Sequence, residues 1–126
     1  MKSTNIKLTE AEEKLANLIW REAPMLSPDL VGQASQVLDW KKSTTYTVLK
    51  KLCDKGIFKN DNTHISILLT HDDLISQQSR HYIEDTFGGS LPKFITSFFN
   101  GKRISPAQAE ELRRMIDDYE EDTGHG

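Results

Sequence analysis

The chain has 126 residues, 37% of them hydrophobic and 28% charged, which suits one compact domain or two very small ones and leaves some apolar surface for a second copy to cover. No apolar run approaches the ~20 residues that cross a bilayer, Met1 to Glu10 carries no hydrophobic signal segment, and the lone Cys53 excludes an internal disulfide or a multi-cysteine metal cage, so a soluble, cytoplasmic protein without a membrane partner is expected. The net charge of −3 hides a split: residues 1 to 60 carry ten Lys/Arg against seven Asp/Glu, whereas residues 61 to 126 carry six against twelve.

Taken in chain order, Thr9 and Glu12 form a capping box with Leu8 as its hydrophobic staple, and Ala11, Leu15, Leu18 and Ile19 then share one helical face up to Pro24. Ser27-Pro28-Asp29 predicts a second helix with a capping serine, proline at the first helical position, an acid in the first turn and the stripe Leu30, Val31, Ala34, Val37. A third helix is predicted from about Ser43 to Lys55, with Val48, Leu49 and Leu52 inward, joined by Thr45, and Gly56 as the left-handed residue that ends it. Ile57 to Asn60 and His64 to Leu69 flank the turn residues Asp61-Asn62-Thr63 and read as a two-stranded hairpin. Thr70 caps a long helix that Phe87 and Gly88-Gly89 end. Leu91 to Asn100 forms a short, very apolar helix, and Ser105-Pro106-Ala107-Gln108 opens a last one as another capping box. Three short helices followed by a hairpin describe a winged helix-turn-helix. The expected class is therefore mainly α with a small β-hairpin: a winged helix-turn-helix domain over residues 1–70, a helical dimerisation domain over 71–122 and a flexible acidic tail at 123–126.

The third helix is where chemistry concentrates. From Trp40 to Asn60 the chain places Lys41, Lys42, Lys50, Lys51, Lys55 and Lys59 against Asp54 alone, and a local field of that sign decides which polyanion docks. With Val48, Leu49 and Leu52 buried, Ser43, Thr44, Thr47 and Lys51 project outward, and Tyr46 and Lys50 lie at the edges. A recognition helix needs short polar groups near its start to approach base edges, and cations nearby to hold phosphates. The free N–H groups of the first turn add an anion site. Lys41, Lys42, Lys50 and Lys51 are assigned to phosphates, and Thr44, Tyr46 and Thr47 to sequence choice. In the wing, Asn62, Thr63 and His64 are candidates for a neighbouring phosphate. An amphipathic helix with a solvated outer face would show the same charges, and the competing reading is a winged-helix protein-interaction module that binds no DNA.

The short apolar helix carries Phe94, Ile95, Phe98 and Phe99 around most of its circumference, which one chain can cover only with other helices. Burying such a side chain contributes ~1.5–3 kcal/mol, so a partner copy is the favoured cover, with a monomer packed by its own helices as the alternative. No enzyme, cofactor or metal site is expected. His64, His71, His81 and His125 are scattered, capping explains Asp72 and Asp73, and no nucleophile motif or phosphate-cradling glycine loop is present.

Leu8-Thr9-Glu10-Ala11-Glu12 through Leu18-Ile19-Trp20, then Ser43 to Leu52 and Lys55-Gly56, resemble the penicillinase-repressor family. So do Phe87-Gly88-Gly89-Ser90, Phe98-Phe99-Asn100, and Glu110-Glu111-Leu112 with Met115-Ile116, so that the likeness runs from about Lys7 to Asp122. The resemblance implies a homodimeric transcriptional repressor that binds inverted-repeat operator DNA through two winged domains while the carboxyl-terminal helices of the two chains interlock. It places recognition contacts at Ser43, Thr44, Tyr46, Thr47 and Lys50. The dimer contacts it implies are Ile75, Tyr82, Ile83, Phe87 and Leu91, with Phe94, Ile95, Phe98 and Phe99, and on the last helix Leu112, Met115 and Ile116. Several relatives carry a basic residue where Ser43 and Tyr46 stand, and an aromatic residue in the wing that this chain lacks. The paired Cys-x-Cys motifs of copper-responsive members are absent, and Cys53 is expected to be a buried filler. Antibiotic-responsive members are inactivated by a protease that cuts before a phenylalanine. The matching bond here is Ser97–Phe98, with serine where those relatives have asparagine.

Overall fold

The computed structural model describes residues 5–121, so the tail at 123–126, residue 122 and His125 lie outside the described residues. Its first helix, α1 (Glu10–Glu22), begins with the predicted box: the Thr9 Oγ1 accepts from the Glu12 N–H at 3.1 Å while Glu12 accepts from the Thr9 N–H at 2.9 Å. The chain then runs through a cis Ala23–Pro24 peptide into β1 (Met25–Leu26), a strand that no sequence pattern announced. The second helix, α2 (Ser27–Leu38), follows without a break, and this corrects the role given to Ser27. It is the first helical residue, buried at 2% exposure, and Leu26 occupies the cap position with no side-chain bond. The Ser27 N–H is used by the wing instead, donating to the Thr63 carbonyl at 2.8 Å.

Helix α3 (Lys42–Asp54) starts and stops one residue earlier than predicted, and Gly56, at φ +82°, turns the chain where a side chain would be strained. The strands β2 (Phe58–Asp61) and β3 (His64–Ile67) are joined by Asn62 and Thr63, both at positive φ. That two-residue turn has the hand that matches strand twist. The sheet order is β1-β3-β2, antiparallel throughout, with Met25 opposite Ile65 and Phe58 opposite Ile67. The hairpin therefore has a third strand on its other edge. Leu15, Ile19, Leu30, Leu49, Leu52, Ile57, Phe58 and Ile65 form the core beneath α1, α2 and α3. The Trp20 indole N–H donates to the Leu69 carbonyl at 3.0 Å, and its ring lies 4.8 Å from that of His71, which fastens the end of the wing to the next helix.

That helix, α4 (His71–Phe87), is capped by Thr70 and stopped by Gly88 and Gly89, both at positive φ. Two shorter helices complete the described chain: α5 (Leu91–Phe98), capped by Ser90, and α6 (Pro106–Tyr119), capped by Ser105. Helix α5 ends two residues earlier than predicted. Only the forward half of the predicted Ser105 box forms, from the Gln108 N–H to the Ser105 hydroxyl. The architecture is mainly helical with a small antiparallel sheet, a winged helix-turn-helix followed by further helices. Two compact units part between Gly89 and Ser90, with Leu74 of α4 buried in the core of the first.

Candidate nucleic-acid interface

Helix α3 turns its apolar side to α1 and α2. Thr45, Val48, Leu49 and Leu52 are buried, whereas Lys42, Ser43, Thr44, Thr47, Lys50 and Lys51 are exposed along one surface, with Lys41 just ahead of them. Thr45 anchors the start of the helix, its hydroxyl donating to the Lys41 carbonyl at 3.1 Å. The first turn has neither a side-chain cap nor an acidic residue, while α1, α2 and α4 each begin with one or more acids. Its leading N–H groups and the positive end of its dipole are thus left uncompensated, which is the electrostatic condition for binding an anion. Among the described residues the Lys41 and Lys42 ammonium groups have no partner in their own chain. Lys50 reaches Asp54 at 3.4 Å, but with side-chain exposures of 76% and 65% that pair contributes little and leaves the lysine free to swing.

Tyr46 is placed differently from its neighbours. It is half-buried against the core, and its hydroxyl lies 3.4 Å from the Ser27 Oγ, a long contact. Ser27 in turn holds the wing turn through Thr63, so one buried serine lies between the helix and the wing. Asn62, Thr63 and His64 are all exposed at that turn, and the His64 Nδ1 sits 3.1 Å from the Asn62 carbonyl. Lys59, exposed on β2, adds a further cation.

At the far end of α3, Lys55 forms an ion pair with Glu12 of α1, whose side chain is only 4% exposed. Burial pushes the Glu12 carboxyl up, but the Lys55 hydrogen bond, the Thr9 N–H and the charges of Lys55 and Lys51 outweigh it and hold the carboxyl below its ordinary value of 4.5. A depressed carboxyl stabilises the fold fully above its unfolded value and loses that contribution as pH falls through the folded one. Glu12→Gln is accordingly expected to lower unfolding stability by about 1–3 kcal/mol at neutral pH. The gap to the unsubstituted protein should close in urea titrations taken progressively below about pH 4.5.

Cys53 is half-buried. Burial pushes its thiol above the ordinary value against the Asn60 backbone hydrogen bond, so it stays protonated. His81 lies 3.4 Å from Asp85, and among the described residues no three His, Cys, Asp or Glu side chains gather as a metal site would require. No helix among them is long and apolar enough to cross a membrane.

The second group of predicted residues is conspicuously bare. From Ile75 to Glu121 no residue is buried. Ile75 and Tyr82 are exposed on α4, Leu91, Ile95 and Phe98 on α5, and Leu112, Met115 and Ile116 on α6, while Ile83, Phe87, Phe94 and Phe99 are half-buried. Between α5 and α6 an open groove of about 380 Å³ is lined by Phe94, Ile95, Phe98, Phe99, Leu112 and Met115 among others. Ser97 and Phe98 close the last turn of α5, both exposed.

The model of the penicillinase repressor family matches residues 8–118. A penicillinase repressor from Staphylococcus aureus is 20% identical over 122 residues, covering 94% of this chain and 97% of that protein. Another from Bacillus licheniformis is 19% identical over 117 residues, covering 90% and 91% respectively.

Proposed function

The chain belongs to the penicillinase repressor family and is a transcriptional repressor, a regulator rather than an enzyme, and we propose that it acts as a homodimer gripping an inverted-repeat operator with its two copies of α3. The observation that carries this reading is the start of α3: an uncapped, acid-free first turn beside two unpaired lysines, on the exposed face of a winged helix-turn-helix. Lys41, Lys42 and Lys51 hold phosphates, with Lys50 joining when it leaves Asp54. Ser43, Thr44 and Thr47 face the base edges, Tyr46 contributes its ring at the rim, and Asn62, Thr63 and His64 of the wing meet the flanking backbone. The protein-interaction alternative would keep the fold but leaves this concentration of cations without a use.

The dimer half of the proposal rests on exposure. A single copy leaves Ile75, Tyr82, Leu91, Ile95, Phe98, Leu112, Met115 and Ile116 in water, a patchwork that monomeric proteins rarely tolerate. A second copy related by a twofold axis covers the same residues on both chains and doubles the DNA contacts, which one small module alone makes only weakly. A protease acting at Ser97–Phe98 would cut within that apolar face, so cleavage would release the DNA by dismantling the dimer.

Selection from random duplex DNA, followed by binding at several salt concentrations, tests the proposal directly. A palindromic consensus with a steep salt slope is the expected result, and affinity indifferent to both sequence and salt would reject it. Within the selected site, Thr47→Ala should shift discrimination at one base pair per half-site by ~1–3 kcal/mol and leave nonspecific binding nearly unchanged.

A further inference from the structure

Helix α3 is fastened at its far end by groups that take no part in the DNA-facing set. Lys55, which follows its last turn, lays its Nζ between the Glu12 carboxylate and the Lys7 carbonyl, 2.6 Å from the latter. The backbone just before α1 is held from its other side as well, where the Gln78 Nε2, midway along α4, donates to the Ile6 carbonyl at 3.0 Å. Ile6 and Leu8 pack against the core between these bonds. Residues 6–9 thus form a strap with α3 tied to one edge and α4 to the other.

The strap matters because it ties the middle of α4 to the end of α3. Leu74, in its first turn, is the one α4 residue fully buried among the described residues, and the Gln78 bond lies beyond it. We propose that Lys55 and Gln78, acting through residues 6–9, are positioning residues that set the angle between α3 and α4 and hence the half-site spacing that the repressor accepts. This rests on the reading of the protein as a dimer on an inverted repeat. Ile75 and Tyr82 of α4 are exposed candidates for the dimer contact, so the angle between reading helix and contact helix in each copy sets the separation of the two reading helices. Lys55 is not one more phosphate anchor. Its ammonium already has two oxygen partners in its own chain, one of them a carboxylate nearly out of reach of water.

The test compares the full-length protein with Lys55→Met, Gln78→Ala and Lys55→Arg on the selected operator and on copies whose central spacer is one base pair longer or shorter. One base pair moves a half-site by about 3.4 Å and turns it by roughly 34°. The unsubstituted protein should prefer its own spacing by about tenfold or more, because a stiff dimer makes the duplex absorb the misfit. Lys55→Met and Gln78→Ala should reduce that preference to within about threefold with the salt slope unchanged, and Lys55→Arg should restore it. If Lys55→Met does not fold, Gln78→Ala, which removes one hydrogen bond of a half-buried side chain, decides the matter. Weaker binding with an intact spacing preference overturns the proposal, as does a Lys55→Met salt slope lowered by about one, which would mark a phosphate contact. An unsubstituted protein that binds duplexes without favouring any spacing would reject the dimeric reading, and the strap's role falls with it.

Discussion

Phe98→Glu is expected to convert the protein to a monomer in sedimentation and to weaken operator binding by about 10²-fold or more. Phe98 is 54% exposed in the single chain, and its ring meets that of Phe99 edge-on at 5.6 Å, on the wall of the α5–α6 groove. In water the substituted carboxylate costs the monomer little, since the side chain it replaces was half in solvent. In a dimer the same carboxylate would be stripped of water against phenylalanine and methionine, with no partner cation in the groove lining. The loss thus falls on association rather than folding, and helical circular dichroism should remain. With one winged unit per molecule, each operator half is bound separately and the gain from linkage disappears. An undiminished dimer would remove Phe98 from the interface.

Replacing Lys41 and Lys42 together by alanine should weaken binding to every duplex, cognate or not, by about 10²–10³-fold at moderate salt. The two residues precede and open α3, where no acid of the first turn neutralises them. Each phosphate released returns ~0.9 to the salt slope, so loss of up to four contacts per dimer should flatten it by about 3–4. The ratio between cognate and random DNA should hardly move, because phosphates carry no sequence information. An unchanged slope would mean that these lysines face solvent in the complex.

Much of this arrangement was legible because its causes are local. The Thr9–Glu12 box, the buried Val48, Leu49 and Leu52, and the turn at Gly56 each follow from residues within one or two helical turns. What escaped was built by distant partners. Two residues are too few to show a strand's alternation, and β1 exists because Ile65 and His64 pair with Met25 and Leu26. That pairing also draws Ser27 into the core and overrides the capping signature of Ser-Pro-Asp. Glu12 and Lys55 stand 43 residues apart, so no window along the chain contains their ion pair. Leu74 likewise looks like any apolar helix residue until the winged core takes it in.

The bare leading turn of α3 has a consequence for how the repressor recognises its target. At α1, α4, α5 and α6, Thr9, Thr70, Ser90 and Ser105 supply the oxygen that finishes the helix, and α2, without such a cap, carries Asp29 in its first turn. At α3 an operator phosphate would supply it, so the reading helix would be completed by the molecule that it reads. Contact with any duplex would then tighten the scaffold before the bases are sampled, giving the searching protein a firmer instrument on DNA than off it.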